Sequence, residues 1–151
     1  MPQSFATESY CAVETFQFVN RDGKRQPGRY RVVPVAGERH VQSSEAPILP
    51  RSYLFDELRR RLQSNPVQFR LMVQLAADAD PIEDPTRLWP EDRQQKELGI
   101  LTITKPSADS SSVERGLGFD PARLTDGIEP GDPLIKVRFA VYAISIRRRG
   151  A

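Results

Sequence analysis

Arg138 and Tyr142 stand four residues apart in the run Asp132-Pro-Leu-Ile-Lys-Val-Arg-Phe-Ala-Val-Tyr-Ala-Ile-Ser-Ile-Arg-Arg-Arg149. On a helix that spacing sets a guanidinium on the same face as a phenol, and Ile146 and Arg149 continue the stripe. A fixed cation beside a phenol favours the phenolate. A phenolate is a hard anionic ligand that can hold ferric iron, haem iron included, from one side. Taken alone the spacing is weak evidence, because an Arg and a Tyr four apart are far more often an ordinary packed helix face.

The element that must carry the pair also reads in two ways. Asp132 can cap a helix through its carboxylate, Pro133 suits the first helical position, Gly150 suits a stop, and the terminal arginines sit where the helix dipole favours cations. Against this, Ile135, Val137, Phe139, Val141 and Ala143 alternate in a run rich in β-branched residues, as a strand would. The capping signals predict the helix.

Upstream, Tyr10 to Val19 alternates, with Val13, Thr15, Gln17 and Val19 on one side and Ala12, Glu14, Phe16 and Phe18 on the other, which predicts one strand. Asn20 to Gly23 has turn composition, and 28–34 returns as the second arm of an antiparallel hairpin. Ser52 precedes apolar residues at helical spacing (Tyr53, Leu54, Phe55, Leu58, Leu62), with acids early and arginines late, so an amphipathic helix of about three turns is expected, ending at Asn65-Pro66. Val67 to Leu75 alternates cleanly as a strand. Leu98 to Thr104 is a fourth strand. Between these two, an acidic loop from 76 to 92 contains Trp89, whose indole can anchor it on the core. Residues 113–129 read as irregular chain. Four strands with late helices indicate an α+β layout around an antiparallel sheet.

Composition sets limits on function. The 151 residues fit one domain, and 22 basic against 20 acidic residues give a net charge of +2, which provides no long-range attraction to nucleic acid or membrane. No aromatic row interleaves basic residues as a nucleic-acid stacking platform requires. No apolar run approaches a membrane span, residues 1–15 lack the layout of a signal peptide, and the chain reads as soluble, cytoplasmic as given and periplasmic if an N-terminal part precedes it. The single cysteine, Cys11, rules out an internal disulfide and is expected to be a small buried hydrophobe.

Taken in order, Phe16-Gln-Phe-Val-Asn-Arg-Asp-Gly-Lys24, Arg29-Tyr-Arg-Val-Val-Pro34, Tyr53-Leu-Phe-Asp-Glu-Leu58, Asp84-Pro-Thr-Arg-Leu-Trp-Pro90, Phe119-Asp-Pro121, Gly127-Ile-Glu-Pro130 and Arg138-x-x-x-Tyr142 resemble the haem catalases. The likeness is to their compact bacterial branch, the catalase-related peroxidases, and it runs from Tyr10 onward. It implies an antiparallel catalase-like β-barrel portion followed by a C-terminal proximal haem helix. Residues 1–9 carry no pattern and are expected to be a disordered start, while the resemblance makes 10–151 the C-terminal portion of a catalase-like domain. By resemblance, Tyr142 is the proximal iron ligand and Arg138 the arginine that keeps its oxygen anionic. Arg149 lies where the family places an arginine near a haem propionate, a task Arg147 or Arg148 could also do; the alternative for Arg149 is a solvated basic helix end. The cofactor implied is haem and the substrate hydrogen peroxide.

The departures from the family pattern are equally informative. Catalase chemistry needs a distal histidine to move a proton between the oxygens of peroxide. In the family that histidine lies upstream of the matched region, so no catalytic residue of the distal site is expected in this chain. Its sole histidine, His40, falls in the loop after the second strand and is expected to be a surface imidazole. Glu14 occupies a place where many relatives carry histidine. Two functions therefore compete: a peroxidase whose missing half comes from a separate chain, and a truncated remnant or haem-binding module without turnover. Half a barrel would also leave exposed strand edges.

Overall fold

The computed structural model describes residues 1–44 and 46–149. The strands are β1 (Tyr10–Cys11), β2 (Phe16–Val19), β3 (Arg25–Pro34), β4 (Val67–Leu75), β5 (Gln95–Ile103) and β6 (Ile128–Pro130). The helices are α1 (Tyr53–Ser64), α2 (Ser110–Gly116) and α3 (Leu134–Arg148). The sheet runs in the order β5, β4, β3, β2, β6, with β1 also paired to β3. The class is α+β, with antiparallel pairing of β1 and β2 to β3 and of β2 to β6.

The chain gathers into two compact units, Met1–Cys11, Arg31–Met72 and Glu97–Ser107 in the first, and Ala12–Tyr30, Val73–Lys96 and Ala108–Ala151 in the second. The core of the first unit is Ala6, Leu62, Val67 and Phe69, with Val32, Leu58 and Ile103 packed against it. Leu58 and Leu62 come from the apolar stripe of α1, and Val67 and Phe69 from one face of β4, as period 3.6 and period 2 require.

The first nine residues are not the disordered start expected from their lack of pattern. Ser4 and Thr7 are fully buried, Phe5–Thr7 forms a 3-10 turn, and the Ser4 hydroxyl accepts from Ala6 N at 3.0 Å. Side-chain bonds fasten the segment to α1: Ser4 to Glu57, and Tyr53 Oη to the Pro2 carbonyl at 2.8 Å. A run without periodicity is thus ordered by polar contacts that periodicity does not register. Cys11 is exposed, not buried as expected, and lies in a two-residue strand of which both residues are exposed. His40 is exposed and lies 3.2 Å from Glu8.

In the second unit the hairpin of β2 and β3 turns at Asn20–Gly23, where Asn20 Oδ1 accepts from Asp22 N and Lys24 N and Gly23 takes a φ of 77°. The expected single strand from 10 to 19 is broken at residues 12–15. Thr15 N donates to the Asp132 carboxylate at 2.6 Å and the Thr15 carbonyl accepts from Gly131 N at 2.8 Å, so its backbone is spent on the approach to α3. The stretch 113–129 is not irregular throughout. It contains most of α2, which the Asp109 carboxylate caps through Ser112 N at 2.9 Å, and the start of β6.

The terminal run is a helix, which decides between the two readings of its sequence. Asp132 is 5% exposed and its other carboxylate oxygen accepts from Leu134 N at 2.9 Å. One side chain thereby caps the helix and ties it to the strand region before Phe16. Among the described residues no helix is long and apolar enough to cross a membrane.

Candidate functional site

Helix α3 brings Arg138 and Tyr142 together one turn apart. Arg138 Nη2 donates to Tyr142 Oη at 2.7 Å, and its guanidinium carbon lies 5.5 Å from the centre of the phenol ring. The other end of the same guanidinium, Nη1, forms an ion pair with Glu14. Glu14 is 13% exposed at its side chain against 41% for Arg138, so the carboxylate is the more deeply set partner. A phenol held by a cation that is itself held by an anion is the chemical centre of the second unit.

This triad lines a cavity of about 270 Å³. Phe16, Phe119, Pro121 and Ile135 provide apolar walls, while Glu14, Asp120, Arg138 and Tyr142 provide the polar ones. Each wall has a local cause. Phe16 opens β2 directly after the Thr15 clamp, and Ile135, fully buried, sits in the first turn of α3. Asp120 accepts from Ala122 N at 2.9 Å, which bends the chain at Phe119-Asp-Pro121. Gly118 lies against α3 so closely that a Cβ there would stand 2.8 Å from Ile146 Cδ1.

Arg149 is engaged elsewhere, donating from Nη2 to the Leu117 carbonyl at 2.6 Å. Arg147 donates to the Ala143 carbonyl within its own helix at 3.3 Å. His40 belongs to the first unit and contributes nothing to this cavity's lining.

Behind the cavity residues, Arg29 organises the loop that follows β4. It is 4% exposed and donates to Thr15 Oγ1 at 3.2 Å and to the carbonyls of Arg87, Pro81 and Asp84 at 2.7, 3.3 and 3.0 Å. Its guanidinium carbon stacks 4.2 Å from the Trp89 ring, and the indole N–H donates to the Pro81 carbonyl at 3.3 Å. Trp89 anchors the loop as expected. Burial lowers the Arg29 pKa, while the carboxylates of Asp132, Asp84 and Asp80 oppose that shift, and the group remains a cation.

Sequence reasoning found the Arg138–Tyr142 pair but not the part Glu14 plays in it. A signal was present: Glu14 is the lone charge on the side of its strand shared by Ala12, Phe16 and Phe18. A charge interrupting an apolar face needs a partner.

The geometry defines a class, an α+β fold in which helix α3 presents an arginine-held phenol to a small, largely apolar cavity. A family model described as Catalase matches residues 1–151, and the chain belongs to the catalase family. A catalase-related peroxidase of Synechococcus elongatus is 36% identical over 149 residues, covering 98% of this chain and 44% of that protein. One of Mycolicibacterium paratuberculosis is 37% identical over 150 residues, covering 99% and 48% respectively. The chain thus spans just under half the length of these two relatives. Among solved structures, a fungal catalase superposes with a TM-score of 0.86 at 18% identity, over 99% of this chain and 32% of its own. Catalase A from Saccharomyces cerevisiae gives 0.84 at 18% identity, over 99% and 33%. At that identity the likeness speaks for the fold alone.

Proposed function

We propose that this chain forms the proximal wall of a haem site in a catalase-related peroxidase acting on hydrogen peroxide, with Tyr142 as the iron ligand through its phenolic oxygen. The observation that carries the reading is the 2.7 Å hydrogen bond from Arg138 to Tyr142 Oη at the rim of an apolar cavity. The donor set suits the group. A hard phenolic oxygen held by an adjacent guanidinium fits ferric iron, and Phe16, Phe119, Pro121 and Ile135 suit the face of a flat macrocycle. Haem, when bound, supplies the redox chemistry of peroxide.

The chain's own residues do the remaining work. Arg138 keeps a hydrogen-bond donor on the phenolic oxygen and fixes its position at the cavity. Asp132 fixes the start of α3 and so the height of Tyr142 beside the cavity. Arg149 would serve a propionate by giving up its bond to the Leu117 carbonyl. No histidine lines the cavity, so the proton transfer that peroxide cleavage requires would come from a group outside this lining. That same observation favours a second reading in which the chain binds haem without turnover.

Titration of the purified chain with haemin, beside Tyr142→Phe, tests the proposal. The parent is expected to saturate with a ferric phenolate spectrum and the variant to bind at least about tenfold more weakly, which corresponds to roughly 1.4 kcal/mol. Equal binding and equal spectra would remove Tyr142 as the ligand. Peroxide loss from the loaded parent separates enzyme from inert binder.

A further inference from the structure

The guanidinium of Arg138 is divided between two groups, with Nη2 on the phenol and Nη1 on a carboxylate. The carboxylate is a built feature. Glu14 adjoins Thr15, which is fully buried and clamped on both backbone sides, its N–H on Asp132 and its carbonyl on Gly131 N. The clamp leaves no slack, because a Cβ on Gly131 would stand 2.6 Å from the Thr15 carbonyl oxygen. The segment that carries Glu14 and the segment that leads into α3 are therefore fixed against each other. Glu14 Oε1 is buried and takes no directed hydrogen bond, so the ionic contact with Arg138 is what compensates it.

We propose that Glu14 is a positioning residue that holds the Arg138 guanidinium against Tyr142 Oη and takes up part of its charge. The charge consequence rests on the reading of Tyr142 as iron ligand, whereas the holding does not. An arginine free of a counter-anion would draw electron density from the phenolic oxygen. Paired with Glu14, it draws less, since opposite charges a few ångströms apart offset one another at any third group. With haem bound, the phenolic oxygen would then be the stronger donor to ferric iron and would favour its oxidised state. An ion pair that merely docked the helix would affect stability and leave the metal's potential alone.

Two measurements on the parent, Glu14→Gln and Glu14→Ala chains decide the matter. In the haem-free chain, carbon-detected NMR at low temperature should show separate, slowly exchanging Arg138 Nη signals in the parent and averaged signals in both variants. Signals as well separated in the variants as in the parent would overturn the proposal. In the haemin-loaded chain, the ferric/ferrous midpoint potential should be higher in Glu14→Gln than in the parent, because the neutral amide leaves the full cation facing the phenolic oxygen. Coincident potentials would also overturn it. Should the parent take up no haemin, the haem reading falls by itself, and the haem-free spectra still decide whether Glu14 holds Arg138.

Discussion

Replacing Arg29 tests how the loop after β4 is held. Its guanidinium bonds three loop carbonyls and one hydroxyl while 4% exposed, and it stacks on Trp89. Each bond to a charged donor is worth about 1.5–3 kcal/mol in isolation. The four are not additive, because loop carbonyls regain water once the loop loosens and because burying the cation is itself costly. Removal of one partner from a buried charged network costs about 3–5 kcal/mol, and that is the expected loss for Arg29→Ala. It is a large share of a typical domain stability of about 5–15 kcal/mol. Arg29→Met should lose nearly as much, since it refills the space but leaves the same acceptors unpaired. Arg29→Lys retains the charge but not the fork or the stack, and should lose about 2 kcal/mol. Urea unfolding followed by far-UV circular dichroism gives the stabilities. Hydrogen exchange should show the loosening concentrated in residues 81–89. If Arg29→Met were as stable as the parent, the desolvation of the cation would equal everything its bonds return, and the network would not be what holds the loop.

Further outcomes follow from the same contacts. Gly131→Ala places a Cβ against backbone and should cost about 1–3 kcal/mol, whereas Gly118→Ala meets only the tip of Ile146 and should cost less than about 1 kcal/mol; thermal unfolding of both variants checks the contrast. Asp132→Ala strands the N–H groups of Thr15 and Leu134, and about 2–4 kcal/mol should be lost together with haemin affinity in an optical titration. The side-chain hydrogen bond from Arg93 is the main cause that lowers the Asp80 pKa, so the stability it contributes is present at neutral pH and is lost as pH falls below the ordinary carboxylate value. Asp80→Asn should therefore be less stable than the parent at pH 7 and flatter in its acid unfolding profile. Parallel acid profiles would remove Asp80 as a source of the pH dependence.

What the sequence made legible was what periodicity and punctuation encode. Strand β4 begins after Asn65-Pro66 and ends at Leu75 as read, because Val67, Phe69 and Val73 on one face are buried, although the alternation loosens at Leu71 and Met72 and Gln74 is buried as well. Helix α1 begins after Ser52, where the Ser52 hydroxyl bonds Asp56. The interruption between β1 and β2 was hidden, since the alternation runs straight through Glu14 and Thr15 while the backbone there is claimed by Asp132 and Gly131, distant in sequence. Helix α2 was hidden in a serine-rich stretch without an apolar stripe. The site divides along the same line. The Arg138–Tyr142 pair is an i, i+4 contact and could be read directly, whereas the Glu14–Arg138 contact joins two segments far apart along the chain and could be seen only as an unexplained charge.

The packing of Trp89 has an optical consequence. It is the only tryptophan in the chain, it is 6% exposed, and a guanidinium lies over its ring. Its emission should be blue-shifted in the folded chain, and it should move to the red when the loop carrying the Pro81, Asp84 and Arg87 carbonyls opens. A single fluorophore at that point reports the second unit without any label. A bound haem close enough to accept its excitation energy would announce itself as a loss of tryptophan light.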